Sequence, residues 1–141
     1  MNLLITGGSG FIGSNLIKLI LEEKKDSIYK LVNLDALTYA GNADNTKQFV
    51  EDDKYFFEHA DLYDMPSVLE IFEKHNITHV IHLAAESHVD NSIKDPDAFI
   101  NSNIVGTFNL LKACRHFSVE RLHHVSTDEV YGTLSEQDNK F

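Results

Sequence analysis

The octapeptide Thr6-Gly7-Gly8-Ser9-Gly10-Phe11-Ile12-Gly13 joins an apolar segment, NLLIT at residues 2–6, to an amphipathic segment at residues 11–24. It contains Gly-x-Gly-x-x-Gly at Gly8, Gly10 and Gly13, and Gly-x-x-Gly-x-x-Gly at Gly7, Gly10 and Gly13. Glycines at this spacing let the chain turn sharply, so that backbone N–H groups at a helix N-terminus approach a pyrophosphate. Because the motif follows a predicted strand and opens a predicted helix, it predicts a dinucleotide-binding loop.

Short apolar runs alternate with longer amphipathic stretches along the rest of the chain. This alternation is typical of α/β proteins whose parallel sheet is covered by helices on both faces. The sequence therefore predicts a Rossmann-like, doubly wound parallel sheet in the order 3-2-1-4-5. The predicted strands lie at residues 2–6, 30–34, 54–58, 78–83 and 121–126, and the predicted helices at residues 11–24, 45–50, 66–75 and 97–117.

The end of the sequence departs from this pattern. After the fifth predicted strand the chain enters a polar segment at residues 133–140, and no sixth strand follows. A doubly wound dinucleotide-binding sheet normally has a sixth strand. We therefore expect residues 1–141 to form one partial dinucleotide-binding domain, the N-terminal part of a longer polypeptide.

An acidic residue stands at the expected distance from the glycine motif. Asp35 ends the segment VNLD, 22 positions after Gly13, where a carboxylate binds the adenosine ribose and disfavours a 2′-phosphate. No Lys or Arg occurs between Asp35 and Lys47, so the predicted cofactor is NAD rather than NADP. Asp61 and Leu62 follow the third predicted strand and are candidates for the adenine edge, with a simple turn role for Asp61 as the alternative.

Composition and charge exclude several function classes. The chain has 12 basic and 22 acidic side chains and a formal net charge of −10, whereas nonspecific nucleic-acid binding needs clustered basic residues. No apolar run reaches the ~18–20 residues of a membrane helix, and the first residues lack the basic region of a signal peptide. The single cysteine, Cys114, fits a reducing compartment. We expect a soluble cytoplasmic protein without nucleic-acid or membrane partners.

The eight histidines do not form a metal motif. His79 and His82 share a predicted strand, but their odd spacing directs them to opposite faces, and the adjacent His123 and His124 diverge likewise. With one cysteine and no helical histidine pair, we expect no metal site.

Polar residues follow the carboxyl ends of several predicted strands. Ligands of a doubly wound sheet bind beyond these ends, where the strand order reverses. The glycine loop, Asp35, residues 84–87 and Thr127-Asp128-Glu129 are all placed in this way, so we expect them to converge on one crevice. Two adjacent carboxyl groups there can supply an acid for a leaving hydroxyl and a base for a carbon-bound proton. The alternative for Asp128 and Glu129 is a solvated surface pair.

Four segments together resemble one family, the extended short-chain dehydrogenases that act on nucleotide sugars. They are TGGSGFIG at 6–13, LDALTYAGN at 34–42, HLAAESHVDNSI at 82–93 and HHVSTDEVYG at 123–132. The consecutive Thr-Asp-Glu resembles the 4,6-dehydratases of the family rather than its epimerases, whereas Asn91 stands where the family usually has Arg. The resemblance implies that dTDP-glucose is the substrate. It is then oxidised at C4 with NAD, loses water across C5–C6 and receives the hydride back at C6.

The resemblance also implies roles for individual residues. Asp128 would be the general acid and Glu129 the general base, while Thr127 would lie near the O4 atom of the sugar. Asn103 would support the proton relay, and Ser87 would contact both cofactor and substrate. The implied cofactor-binding residues are Gly7, Gly10, Phe11, Ile12, Gly13, Asp35, Asp61, Leu62, Leu83, Ala84, Ala85, Ser87 and Ser102.

The Tyr-x-x-x-Lys pair of short-chain dehydrogenases does not occur in the sequence, because none of the five tyrosines is followed by Lys four positions later. The resemblance places this pair and a nucleotide-sugar domain downstream of residue 141, so we expect the 141 residues alone to be inactive. Two alternatives stay open: another nucleotide-sugar dehydratase or epimerase of the same family, and a non-catalytic NAD-binding module.

The predicted helix at residues 97–117 carries apolar residues on more than one face. A helix that only covers a sheet needs a single apolar stripe. The resemblance implies that the second face packs in a homodimer. The alternative is that the chain beyond residue 141 covers it.

Overall fold

A computed structural model describes residues 1–132 and shows a single five-stranded parallel sheet with the order β3-β2-β1-β4-β5. This order confirms the prediction of a doubly wound α/β sheet. The polar segment predicted at residues 133–140 lies outside the described residues. The strands are β1 (Asn2–Thr6), β2 (Lys30–Asp35), β3 (Tyr55–His59), β4 (His79–His82) and β5 (Arg121–His124).

Helices connect the strands and lie on both faces of the sheet. Their ends agree with the sequence pattern at α1 and α2, where Pro66 occupies the first turn of α2 and Asn76, with φ of +51°, ends it. The helices are α1 (Phe11–Glu23), α2 (Met65–His75), α3 (Val89–Lys94), α4 (Pro96–Phe99) and α5 (Thr107–His116), with a π-helix at Ile100–Gly106 between α4 and α5.

Two helix predictions need correction. The continuous α-helix expected at residues 97–117 is helical throughout, but its centre is the wider π-helix, which presents Asn103 to the backbone of Glu86. The helix expected at residues 45–50 is instead two 3₁₀ turns, Ala43–Asn45 and Lys47–Phe49. The Asn42 side chain accepts a hydrogen bond from Asp44 N and so stabilises a short turn in place of a longer helix. The short helix α3 was not predicted.

The core has one layer on each face of the sheet. Leu3 and Ile5 of β1 pack with Ile17 of α1 on one face, whereas Leu4 packs with Phe72 of α2 on the other. This follows from the alternation of side chains along a strand. Because the strands are parallel, all their carboxyl ends lie along one edge of the sheet, with β1 and β4 adjacent at the centre. Within residues 1–132, no helix has the length and apolar character needed to cross a membrane.

Candidate functional site

The glycine-rich segment forms a tight connection between β1 and α1. Gly7 has φ of +72°, and its amide donates a hydrogen bond to Leu34 O at 2.9 Å, which anchors the loop to β2. The helix α1 begins at Phe11 with Gly10 as the N-cap, and its first turn carries no acidic side chain. Free N–H groups and the helix dipole therefore present an unopposed positive end to an anion.

Two positions of the loop must be glycine, because other backbone atoms lie very close to their Cα atoms. A Cβ atom on Gly7 would lie 2.7 Å from Ala84 N, and a Cβ atom on Gly13 would lie 2.6 Å from Gly8 Cα. Both distances are too short for any side chain, so only glycine is accommodated. The loop thus keeps a bare backbone surface, as a bound pyrophosphate requires.

A first cleft opens in front of this loop, beyond the carboxyl ends of the strands. Its walls come from the glycine loop, the end of β2, the segments after β3 and β4, and the π-helix. The sequence predicts that the glycine loop, Asp35, residues 84–87 and residues 127–129 converge on one crevice. The first cleft brings together the glycine loop, Asp35 and residues 84–86, but Ser87 and residues 127–129 do not line it. Nine of the predicted cofactor-binding residues line it: Gly7, Gly10, Asp35, Asp61, Leu62, Leu83, Ala84, Ala85 and Ser102.

The other four predicted cofactor-binding residues do not line the first cleft. The side chains of Phe11 and Ile12 are exposed, so a contact with a pyrophosphate would come from their backbone N–H groups in the first turn of α1. Gly13 lies in α1 and packs against the backbone of Gly7 and Gly8. Ser87 lies in a second cleft. Binding roles for all thirteen residues stay predictions.

The carboxylate of Asp35 is fixed by backbone hydrogen bonds. It is 7% exposed; its Oδ2 accepts from Ser9 N and its Oδ1 accepts from Leu37 N, each at 2.8 Å. One acidic side chain therefore links the glycine loop to the segment after β2. Each oxygen retains a further lone pair that can accept a ribose hydroxyl, so the predicted ribose contact is compatible with this geometry.

Several residues of the first cleft were missed by sequence reasoning. Thr38 and Gly41 belong to the segment after β2, and a Cβ atom on Gly41 would lie 2.6 Å from Asp35 Oδ1. Both lie within LDALTYAGN, a segment already singled out, so the signal was present. Asn101 lines the cleft beside the predicted Ser102 because the π-helix presents both residues there.

The second cleft lies next to the first and shares the wall formed by Ala84, Ala85 and Glu86. Its lining includes three of the predicted substrate and catalytic residues, Ser87, Thr127 and Glu129. Other polar residues of this lining include Asn103 of the π-helix, Thr107 of α5 and His124 at the end of β5.

The Thr127-Asp128-Glu129 segment follows β5 as a short 3₁₀ turn, Asp128–Tyr131. Thr127 Oγ1 accepts a hydrogen bond from Glu129 N at 3.3 Å and donates to Asp128 Oδ1 at 3.5 Å. The threonine thus caps the turn, as a hydroxyl residue at this position commonly does. Glu129 reaches the second cleft, whereas Asp128 is exposed beside it and does not line it.

A buried histidine lies beneath the wall shared by the two clefts. His82 Nδ1 is 2.7 Å from Thr6 Oγ1, and His82 Nε2 is 2.9 Å from Thr107 Oγ1. Its ring stacks on His124 with centroids 4.9 Å apart. Burial, and secondarily the neighbouring His124, lower the pKa of His82 to about 4, so the imidazole is neutral near pH 7. Sequence reasoning considered His82 only as a metal ligand. Within residues 1–132, no three His, Cys, Asp or Glu side chains are grouped to hold a metal ion.

These features define a class of protein: a doubly wound α/β domain with a glycine-rich dinucleotide loop and an adjoining polar cleft. The family model described as GDP-mannose 4,6 dehydratase matches residues 4–140, and the chain belongs to this family. The earlier resemblance to nucleotide-sugar dehydratases is thereby confirmed.

Individual relatives agree with the family. The chain is 48% identical to dTDP-glucose 4,6-dehydratase 1 of Escherichia coli (strain K12), over 98% of this chain and 40% of that protein. Among solved structures, the dTDP-glucose 4,6-dehydratase of Streptomyces venezuelae with NAD bound has a TM-score of 0.87 at 38% identity, covering 96% of this chain and 42% of the other. The UDP-glucose 4-epimerase of Thermus thermophilus in complex with NAD has a TM-score of 0.83 at 34% identity, covering 100% and 42%. The chain thus spans about two fifths of the curated relatives it matches.

Proposed function

We propose that the protein containing this chain is an NAD-dependent dTDP-glucose 4,6-dehydratase, a hydro-lyase. Residues 1–141 would be its NAD-binding domain, in partial form, and would carry half of the active site. The observation that carries this proposal is the wall of Ala84, Ala85 and Glu86, which lines both clefts. A dinucleotide in the first cleft and a sugar in the second would meet at that wall. The 48% identity to a protein of this name supports the same activity.

The residues of the first cleft fit NAD. The bare backbone at Gly7 and Gly10, which line this cleft, and the open N-terminus of α1 suit a pyrophosphate. The fixed Asp35 carboxylate suits a ribose diol and opposes a 2′-phosphate. Bound NAD would supply the reversible hydride acceptor that oxidises C4 of the sugar and reduces C6. The chain itself would hold the dinucleotide so that its reactive end lies at the shared wall.

The residues of the second cleft would carry out the proton transfers. With C4 oxidised, the C5 proton is acidic, and the Glu129 carboxylate would remove it as general base. Asp128 would protonate the departing C6 hydroxyl as general acid, so that water leaves with its electron pair. Thr127 would lie near the O4 atom, and Ser87 would help to orient the sugar. The exposed position of Asp128 requires that bound substrate extend over the 3₁₀ turn.

A related epimerase is the second candidate, because the Thermus thermophilus epimerase has nearly the same fold over this chain. Consecutive Asp128 and Glu129 argue for elimination, because an epimerase does not release water and needs no such acid–base pair. A non-catalytic NAD-binding module is the third candidate, and it predicts no turnover of any nucleotide sugar.

A homodimer is also part of this proposal. Ile100, Ile104, Phe108 and Leu111 form an exposed apolar stripe on the π-helix and α5, while Leu110 and Ala113 face the sheet and are buried. Packing against a second copy would cover this stripe. We further propose the cytoplasm as the compartment, because the single cysteine, Cys114, is a free thiol, which suits a reducing environment.

The activity is tested in the full-length protein with Glu129→Gln and Asp128→Asn. Glu129→Gln keeps the shape of the side chain but removes the base, so turnover of dTDP-glucose should slow ~10²–10⁴-fold, and solvent deuterium should enter C5 more slowly. Asp128→Asn should slow loss of the hydroxyl while C5 exchange continues. Glu70→Gln, on the exposed side of α2, is the matched control and should leave turnover unchanged. Full turnover by Glu129→Gln would contradict the proposed roles in elimination. Turnover by residues 1–141 alone would contradict only the statement that they carry half of the active site.

A further inference from the structure

Three side chains are hydrogen-bonded in series between the ends of β1 and β4 and the start of α5. Thr6 Oγ1 contacts His82 Nδ1, and His82 Nε2 contacts Thr107 Oγ1. Thr6 and His82 are fully buried, whereas Thr107 is half-buried and lines the second cleft. The series therefore connects the sheet beneath the first cleft to the lining of the second.

The neighbouring backbone fixes the direction of these hydrogen bonds. Leu83 N and Ala84 N both donate to Thr6 Oγ1 at 3.3 Å. With its oxygen accepting from two N–H groups, the Thr6 hydroxyl donates its hydrogen to His82 Nδ1. The imidazole is neutral, because burial, and secondarily His124, lower its pKa to about 4. A neutral ring that accepts at Nδ1 carries its proton at Nε2 and donates it to Thr107 Oγ1.

The Thr107 hydroxyl then has an acceptor lone pair in use and a hydrogen left to donate. Among residues 1–132, His82 is the one hydrogen-bond partner of this hydroxyl. The bond common for a helical threonine, to the carbonyl four residues earlier, is not made to Asn103 O. The hydrogen is therefore available to an oxygen atom in the second cleft.

We propose that the Thr107 hydroxyl donates a hydrogen bond to a hydroxyl or carbonyl oxygen of the sugar bound in the second cleft, and that His82 is the positioning residue that orients it. This inference rests on the proposed function, since it assigns a residue to the same sugar site. The cleft suits a polar ligand such as a sugar, because Ser87, Asn103 and Thr127 also line it.

The test uses the full-length protein with Thr107→Val and Thr107→Ser. Valine has nearly the same shape but no hydroxyl, so kcat/KM for dTDP-glucose should fall about 3- to 10-fold, as expected for one lost hydrogen bond. Serine should restore it. NAD affinity should stay within about twofold of wild type, because Thr107 does not line the first cleft.

Thr78→Val is the matched control for an indirect loss of stability. Thr78 Oγ1 is hydrogen-bonded to the backbone of Asn2 at the opposite end of the strands, so this variant should lose stability with kcat/KM unchanged. Spectra of ¹⁵N-labelled histidine should report the His82 proton on Nε2 in the wild-type protein. If the wild type is active, either of two results would overturn this inference and leave the proposed function standing. One is a His82 proton on Nδ1, and the other is a kcat/KM of Thr107→Val equal to that of wild type. A wild-type protein without turnover of dTDP-glucose would overturn the proposed function and this inference with it.

Discussion

The side-chain amide of Asn103 holds both backbone groups of Glu86. Glu86 N donates to Asn103 Oδ1, and Asn103 Nδ2 donates to Glu86 O, each at 2.8 Å. Because Glu86 lines both clefts, this pair of hydrogen bonds ties the π-helix to the wall between them. The family resemblance implies that Asn103 supports the proton relay. The structure shows that its amide also binds the backbone of Glu86, a contact that the resemblance did not indicate.

The pair predicts the effect of Asn103→Asp. An aspartate can accept from Glu86 N but cannot donate to Glu86 O. Because one partly buried hydrogen bond is lost, the free energy of unfolding should fall by about 1 kcal/mol. NAD affinity in the full-length protein should fall about 3- to 10-fold, because the shared wall at Glu86 loses one of its two hydrogen bonds to the π-helix. Asn76→Asp is the control for NAD affinity, which should not change, because this exposed residue at the end of α2 lines neither cleft. Equal NAD titration curves for wild type and Asn103→Asp would refute this role.

Cofactor preference is predicted from Asp35. The wild-type protein should bind NAD more tightly than NADP, because the fixed carboxylate repels a 2′-phosphate. The double change Asp35→Ala with Ala36→Arg should relax this preference, and it should weaken both cofactors because Ser9 N and Leu37 N lose their acceptor. Asp44→Ala, on the neighbouring 3₁₀ turn, should leave the ratio of the two dissociation constants unchanged. Equal affinities of the wild type for the two cofactors would count against the assignment.

Two glycines of the same loop should respond differently to substitution by alanine. A Cβ atom on Gly13 meets fixed backbone at Gly8, so Gly13→Ala should lower the free energy of unfolding by about 1–3 kcal/mol. A Cβ atom on Gly10 meets nothing closer than Gly7 O at 3.4 Å, and Gly10 has φ of −76°, so Gly10→Ala should keep stability. Since Gly10 lines the first cleft, its methyl group should instead obstruct the pyrophosphate and weaken NAD binding. Denaturant unfolding and NAD titration of the two variants separate these effects, and a Gly13→Ala variant as stable as wild type would contradict the packing argument.

Much of the fold and of the first cleft could be predicted from the sequence. The strand pattern and the glycine motif are local signals, and the rule that ligands bind beyond carboxyl ends turns them into a site that includes Gly7, Asp35 and Ala84. The π-helix was not predicted, and the hydrogen bonds of its Asn103 to Glu86, 17 residues earlier, are tertiary contacts that the local pattern does not contain. The spacing of apolar residues indicates a helix but does not distinguish a π-helical turn from an α-helical one.

The buried series of Thr6, His82 and Thr107 was missed for a related reason. Thr6 and His82 are 76 positions apart and meet because they are register partners in β1 and β4. Thr107 lies 25 positions after His82, at the start of α5, and meets it through the packing of this helix on the sheet. Polar residues within apolar strands were the available signal. His82 was weighed as a metal ligand because that is the role histidine spacing can indicate, whereas a satisfied core histidine needs partners that only the tertiary structure supplies.

The low pKa of His82 predicts a pH-dependent stability. The native ring has a pKa of about 4, whereas the ring in the unfolded chain titrates near 6.5. Below about pH 6.5 the unfolded state therefore binds a proton that the native state does not, and the stability present near pH 7 is lost as the pH falls toward 4. At pH 5 the loss attributable to this group should be about 2 kcal/mol, at ~1.4 kcal/mol for each pH unit below 6.5. Urea unfolding of wild type and His82→Gln at pH 7.5 and pH 5 isolates the contribution of His82, because the other titrating groups are common to both proteins. The stability difference between the two should shrink by this amount at the lower pH. A difference that is constant between the two pH values would mean that His82 titrates normally and that its ring is not held neutral by burial.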